Sequence, residues 1–150
     1  MALTNEYERV DAESDLYDMQ ISIRDTCFKN DDVFTVIPLR WMPAGMAEKQ
    51  DSPAVYRDGC ILIDKVFYKA HGTDNAMIRA MYHEILHTFC AVNDIHDTDG
   101  TKHLEAFADV CERHGGFCSW VDSQHGYSNI SLKTKNLKRI KRMIQSMKGA

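Results

Sequence analysis

Apolar residues recur along this chain at two spacings, and the changes from one to the other mark out its elements. Leu16, Met19, Ile23 and Cys27 fall three or four residues apart. That is the spacing of a helix with one buried face, and Ser14 or Asp15 can cap it. Asn30-Asp31-Asp32 ends it. Residues 33–37, Val-Phe-Thr-Val-Ile, are β-branched and aromatic and predict a strand, with Pro38 favouring an edge position or the strand's end. A loop with Pro43 and Gly45 covers 41–52. Two short apolar runs, 54–57 and 60–63, then flank Asp58-Gly59, which predicts a two-residue hairpin. Residues 65–68 lead to a loop at Gly72.

The longest periodic stretch comes next. Ile78, Met81, Ile85, Phe89 and Val92 make one apolar face in a run without Gly or Pro, Asp74 is the expected N-cap, and the helix ends near Asn93. A polar loop spans 94–100, and its acids read as loop and N-cap chemistry because no EF-hand frame fits. Residues 101–114 predict a second helix with Leu104, Phe107, Ala108 and Cys111 on one face, stopped by Gly115-Gly116. Alternation over 117–121 and 127–132 predicts a hairpin turning at 122–126. Leu137, Ile140, Ile144 and Met147 give the last segment one apolar helical face, with Lys138, Arg139, Lys141 and Arg142 on the other.

At 150 residues, 44% hydrophobic and 27% charged, the chain reads as one domain with room for a core. No apolar run approaches a membrane span, and the start lacks the basic and apolar regions of a signal peptide, which points to a cytoplasmic protein. The five cysteines are odd in number and scattered, without a C-x-x-C, so neither a disulfide framework nor a zinc ribbon is expected. Charge is uneven: the residues from Ser123 onward carry seven basic side chains and no acidic one, against a net −11 before them. This asymmetry points to a polyanionic partner such as DNA, or simply to a solvated helix face. Nothing in the sequence speaks to oligomeric state.

The candidate chemistry lies on the long helix, where Met81-Tyr82-His83-Glu84-Ile85-Leu86-His87 contains H-E-x-x-H. Histidines at i and i+4 share a helical face and can reach one zinc ion, and the Glu between them can take a proton from a metal-bound water. A catalytic zinc needs a third protein ligand. A metzincin would place a histidine at position 93, which is Asn93. His96 lies in a loop. His103 lies 16 residues after His87, at the start of the predicted second helix, and Glu105 and Asp109 offer competing carboxylates.

His83-Glu84-x-x-His87, a polar loop ending in Asp99-Gly100, and His103-Leu104-Glu105-Ala106-Phe107 together resemble the SprT-like metalloproteases, with H-E-x-x-H, a loop and H-x-x-x-F. Asp58-Gly59-Cys60-Ile61-Leu62-Ile63 is similar to their strand before the active-site helix, and the resemblance covers roughly 41–132. It implies an α+β, zincin-like fold: a small, mostly antiparallel sheet packed on the H-E-x-x-H helix, with a second helix carrying the third ligand. It also implies His83, His87 and His103 as zinc ligands and Glu84 as catalytic base. In this fold class an edge strand beside the metal can hold a peptide in extended form. Family members often have a His directly after the Gly, where Thr101-Lys102 intervene here. Without a C-terminal cysteine ribbon, the domain resembles the minimal kind encoded by phages and mobile elements. The alternative resemblance is to ImmA/IrrE-like peptidases, with Glu105 as third ligand.

The expected activity is zinc-dependent hydrolysis of peptide bonds in a protein or peptide substrate. Tyr127 and His125, near the predicted hairpin tip, are candidates to steady the transition state, and Asp109 to orient a ligand imidazole; ordinary loop and surface roles are the alternative for each. The rival expectation is a metal-stabilised module that binds DNA or protein through its basic C-terminal segment, with little or no proteolysis.

Overall fold

The computed structural model describes residues 7–29, 36–50 and 52–148. In chain order it has α1 (Asp15–Cys27), β1 (Leu39–Trp41), α2 (Met46–Gln50), β2 (Ala54–Arg57), β3 (Cys60–Ile63), α3 (Lys65–His71) and α4 (Asn75–Val92). There follow β4 (Thr98–Asp99), β5 (Lys102–His103), α5 (Glu105–Arg113), β6 (Gly116–Asp122), β7 (Gly126–Leu132) and α6 (Thr134–Lys148). The fold is mixed α+β. The single, mostly antiparallel sheet expected from the sequence is replaced by two small mixed sheets, ordered β1-β3-β2 and β4-β5-β7-β6. Each contains one parallel pair, β1 with β3 and β5 with β7.

Local chemistry explains most boundaries. Ser14 caps α1 by accepting from Leu16 N–H, and Asp74 caps α4 by accepting from Met77 N–H. Asp58 and Gly59 both adopt positive φ (53° and 83°), as a tight two-residue hairpin turn requires, and β2 and β3 pair antiparallel around them. The segment 65–71, read from sequence only as an approach to a loop, is the helix α3, with Asp64 accepting from Val66 and Phe67 N–H.

The strand expected at 33–37 is not where pairing occurs. Residues 30–35 lie outside the described residues, and Val36 and Ile37 belong to no strand. The Gln20 side chain takes both backbone groups of Ile37, accepting from its N–H at 2.7 Å and donating to its carbonyl at 2.9 Å. The Pro38 carbonyl then accepts from Ile61 N–H at 3.0 Å, so the ladder begins just beyond the proline. Residues 8–10 run antiparallel along the outer edge of β1, bridging Arg9 to Arg40.

Helix α4 is the centre of the core. Met77, Ile78, Met81, Tyr82, Ile85, Leu86 and Cys90 are all buried, whereas Val92, expected on the apolar face, is 60% exposed at the fraying end. The Tyr82 hydroxyl donates to the His114 carbonyl at 2.9 Å, which satisfies its one polar atom in the interior. Strand β3 is buried at all four positions because α2 and Tyr7 cover the sheet face turned away from α4, where Tyr7, Met42, Cys60 and Leu62 pack together. Helix α6 closes the far side with Leu137, Ile140 and Ile144 buried; Met143 and Met147 accept from Thr26 and Ser22 of α1. Among the described residues no helix is long and apolar enough to cross a membrane.

Candidate metal centre

The pitch of α4 sets His83 and His87 on one side of the helix, with ring centroids 4.8 Å apart. Their Nε2 atoms are 3.1 Å apart. His103 reaches the same point from β5, its Nε2 3.4 Å from that of His87. One ligand atom from each of the three lies within 4.8 Å of the others, and this is the only such group of three or more His, Cys, Asp or Glu among the described residues.

His103 does not sit on the second helix, as the sequence suggested. Helix α5 begins only at Glu105, with Leu104 in the N-cap position. Before it, Asp99 pairs with Lys102 and Thr98 with His103 across a turn in which Gly100 has φ +65°, and His103 also pairs with Gly126 of β7. The backbone of 102–103 is thus committed to two strand neighbours and cannot wind into α5. The neighbouring chain comes so close that a Cβ on Gly126, itself at φ +70°, would collide with the His103 carbonyl oxygen.

Two further residues define the ligand geometry. Asp97 Oδ2 accepts from His87 Nδ1–H at 2.8 Å, which leaves the His87 Nε2 lone pair for the cluster. Phe107, fully buried on α5, packs against all three imidazoles, with centroids 5.5 Å from His83, 4.6 Å from His87 and 4.7 Å from His103. Burial, and then the neighbouring His87 and His103, push the His83 pKa down to about 3. Burial followed by His87 also lowers that of His103. These two histidines are therefore neutral at pH 7, the form in which imidazole binds a metal.

Glu84 is 7% exposed and faces β2, where its Oε1 accepts from Tyr56 N–H at 2.8 Å. Burial drives its pKa up to about 8, against the smaller opposing effect of that hydrogen bond. A cleft of about 530 Å³ opens onto the group, lined by Glu84, His87 and His103 on one side and by residues 54–56 of β2 on another. Asp97, Thr98, Gly100 and Thr101 form a further part of its wall.

The donor set fits one four-coordinate ion. With metal–nitrogen bonds of about 2.05 Å in a tetrahedron, ligand nitrogens stand roughly 3.3 Å apart. Two of the three Nε2 separations, 3.1 Å from His83 to His87 and 3.4 Å from His87 to His103, bracket that spacing, and all three ligand atoms lie within 4.8 Å of one another.

The other sequence candidates lie elsewhere. Glu105 and Asp109 are exposed on α5 and outside the histidine group. The orienting role considered for Asp109 is filled on His87 by Asp97, ten residues downstream in a loop whose acids read from sequence as turn chemistry. His96 is exposed. His125 is exposed at the β6–β7 turn, its Nδ1 2.8 Å from Asp122. Tyr127 packs edge-on against Trp120 at 5.3 Å, and neither it nor His125 lines the cleft.

Compared with protein-family models, with curated proteins and with solved structures, the chain matches none. The site therefore rests on its own geometry.

Proposed function

We propose that this chain is a zinc-dependent, intracellular peptidase of the SprT-like kind, with a zincin-type active site. The observation that carries the reading is the meeting of three imidazoles, those of His83, His87 and His103, beside a cleft whose wall holds His87, His103 and the buried carboxylate of Glu84. His83, His87 and His103 would hold the ion through Nε2, with Asp97 fixing the His87 tautomer. When bound, zinc supplies Lewis acidity to a substrate carbonyl and to water, and its charge lowers the Glu84 pKa toward the carboxylate form.

Glu84 acts as the base. Its Oε1 is engaged by Tyr56 N–H, so Oε2 is the oxygen free to take a proton from the attacking water. The same carboxyl then returns that proton to the departing amine, and hydrolysis leaves one new carboxylate and one new amino group. Strand β2 borders the cleft with the edge that β3 does not occupy, which suits an extended peptide laid alongside it.

Glu84→Gln tests this. The variant should keep zinc near one per chain while cleavage of an unfolded protein substrate falls by roughly 10²–10⁴-fold. Cleavage at the parent rate would sink the mechanism. The second reading, a metal-stabilised module that contacts DNA, is favoured by Lys135, Lys138, Arg139 and Arg142, exposed on α6. It predicts salt-dependent DNA binding that Glu84→Gln leaves intact, in a chain that cleaves nothing.

A further inference from the structure

On the far edge of the first sheet, two arginines face each other. Val10 N–H donates to the Leu39 carbonyl at 3.1 Å and Trp41 N–H to the Glu8 carbonyl at 2.8 Å. Between these two bonds, Arg9 and Arg40 form the bridged pair. This is the non-hydrogen-bonded kind of antiparallel pair, which brings opposed Cα atoms to about 4.5 Å and sets both side chains on the same face. Like charges so placed repel. Neither guanidinium forms an ion pair with any described residue. The Arg40 group is held by the Tyr7 carbonyl, which accepts from Nη1 at 3.1 Å.

Both arginines line a cavity of about 630 Å³, which shares no lining residue with the metal cleft. Tyr17 lines it as well, and its hydroxyl oxygen already accepts from Leu39 N–H at 2.9 Å, so the hydroxyl proton is left to be donated elsewhere. The one carboxylate in the lining, Asp11, is turned back on its own turn and accepts from Glu13 N–H at 2.8 Å.

We infer that the Arg9–Arg40–Tyr17 cavity is an anion site for a phosphate group, separate from the metal centre. Two guanidinium forks present more donors than a carboxylate has oxygens to meet, whereas a tetrahedral dianion matches both their number and their charge. The ligand class is a phosphate monoester or inorganic phosphate. The site stands or falls independently of the peptidase reading.

The test is inorganic phosphate added to the full-length chain, with and without zinc, followed by thermal unfolding and by ³¹P line width, against chloride at equal ionic strength. Phosphate should raise the unfolding midpoint in a saturable way and broaden the ³¹P signal. Acetate should do so far less. Arg9→Ala should weaken binding about tenfold or more, as expected for loss of a charge-assisted contact. Arg9→Glu should abolish binding yet unfold at or above the parent's midpoint in chloride, because it replaces repulsion with an ion pair to Arg40. A phosphate response that survives Arg9→Glu, or no response in the parent, overturns the site. Acetate binding equal to phosphate overturns the ligand class.

Discussion

Helix α4 brings His83 and His87 together by its own pitch, whereas His103 arrives on a strand of two residues. The helix is specified locally: a capping Asp74, an apolar row that buries Ile78, Met81 and Ile85, and no interrupting Gly or Pro. The β4–β5 hairpin has almost none of this. It holds its place through partners distant in sequence, chiefly Gly126 beside His103, and through the hydrogen bond from His87 to Asp97. A histidine on the helix is placed by the helix's stability; one on the hairpin is placed by the rest of the molecule. The hairpin also supplies cleft wall at Thr98, Gly100 and Thr101, so whatever steadies His103 steadies that wall too.

The largest effect is expected from ligand deletion, and it should be alike in the two regions. His87→Ala and His103→Ala should each remove most of the zinc from a parent carrying about one ion per chain, while Glu105→Ala removes none. Asp97→Ala, which unties the hairpin from the helix without touching a ligand, should weaken zinc affinity roughly 10–100-fold in a chelator competition. If Asp97→Ala matches the parent, the hairpin needs no such tie, and the contrast between the regions loses its basis.

Gly126→Ala probes the hairpin's other support. A methyl group there meets the His103 carbonyl, and the residue must hold φ +70°, so a cost of about 1–3 kcal/mol is expected in denaturant unfolding. Zinc affinity should fall with it, although residue 126 lies far from α4 in sequence. Unchanged affinity would mean that His103 is positioned without β7.

The most gradual effect concerns pH in the metal-free chain. Glu84 has its folded pKa raised to about 8, so the stability it contributes is present below about 4.5 and declines as pH rises to about 8. His83, lowered to about 3, acts on the other flank, its contribution being complete above about 6.5 and lost as pH falls toward 3. Each slope is at most about 1.4 kcal/mol per pH unit. The two oppose each other between about pH 4.5 and 6.5, so the site's contribution is level there and falls on either side. Glu84→Gln should remove the alkaline decline and leave the acid one. An alkaline limb that persists in this variant would assign it to another group.

Much of the fold was legible because it follows from short-range rules. The cap and apolar row of α4, the Asp58-Gly59 hairpin, the β6–β7 alternation and the buried face of α6 each depend on residues within a few positions of one another. The failures share the opposite cause. Residues 36–37 have strand composition, but Gln20, from another element, takes the Ile37 backbone groups and pairing starts after Pro38. Residues 101–104 fit the pattern of α5, yet two strand neighbours claim the backbone first.

The spacing of His83, Glu84 and His87 follows from the residues alone, because a 3.6-residue pitch leaves them no other relation once the helix forms. The sequence also nominated His103, through its place 16 residues after His87 and through resemblance. Long-range contacts set His103 on a strand beside Gly126, Asp97 against His87, Tyr56 on one oxygen of Glu84, and Arg9 opposite Arg40. Each of those relations joins residues ten or more positions apart. Backbone pairing and burial set such distances, and no local periodicity encodes them.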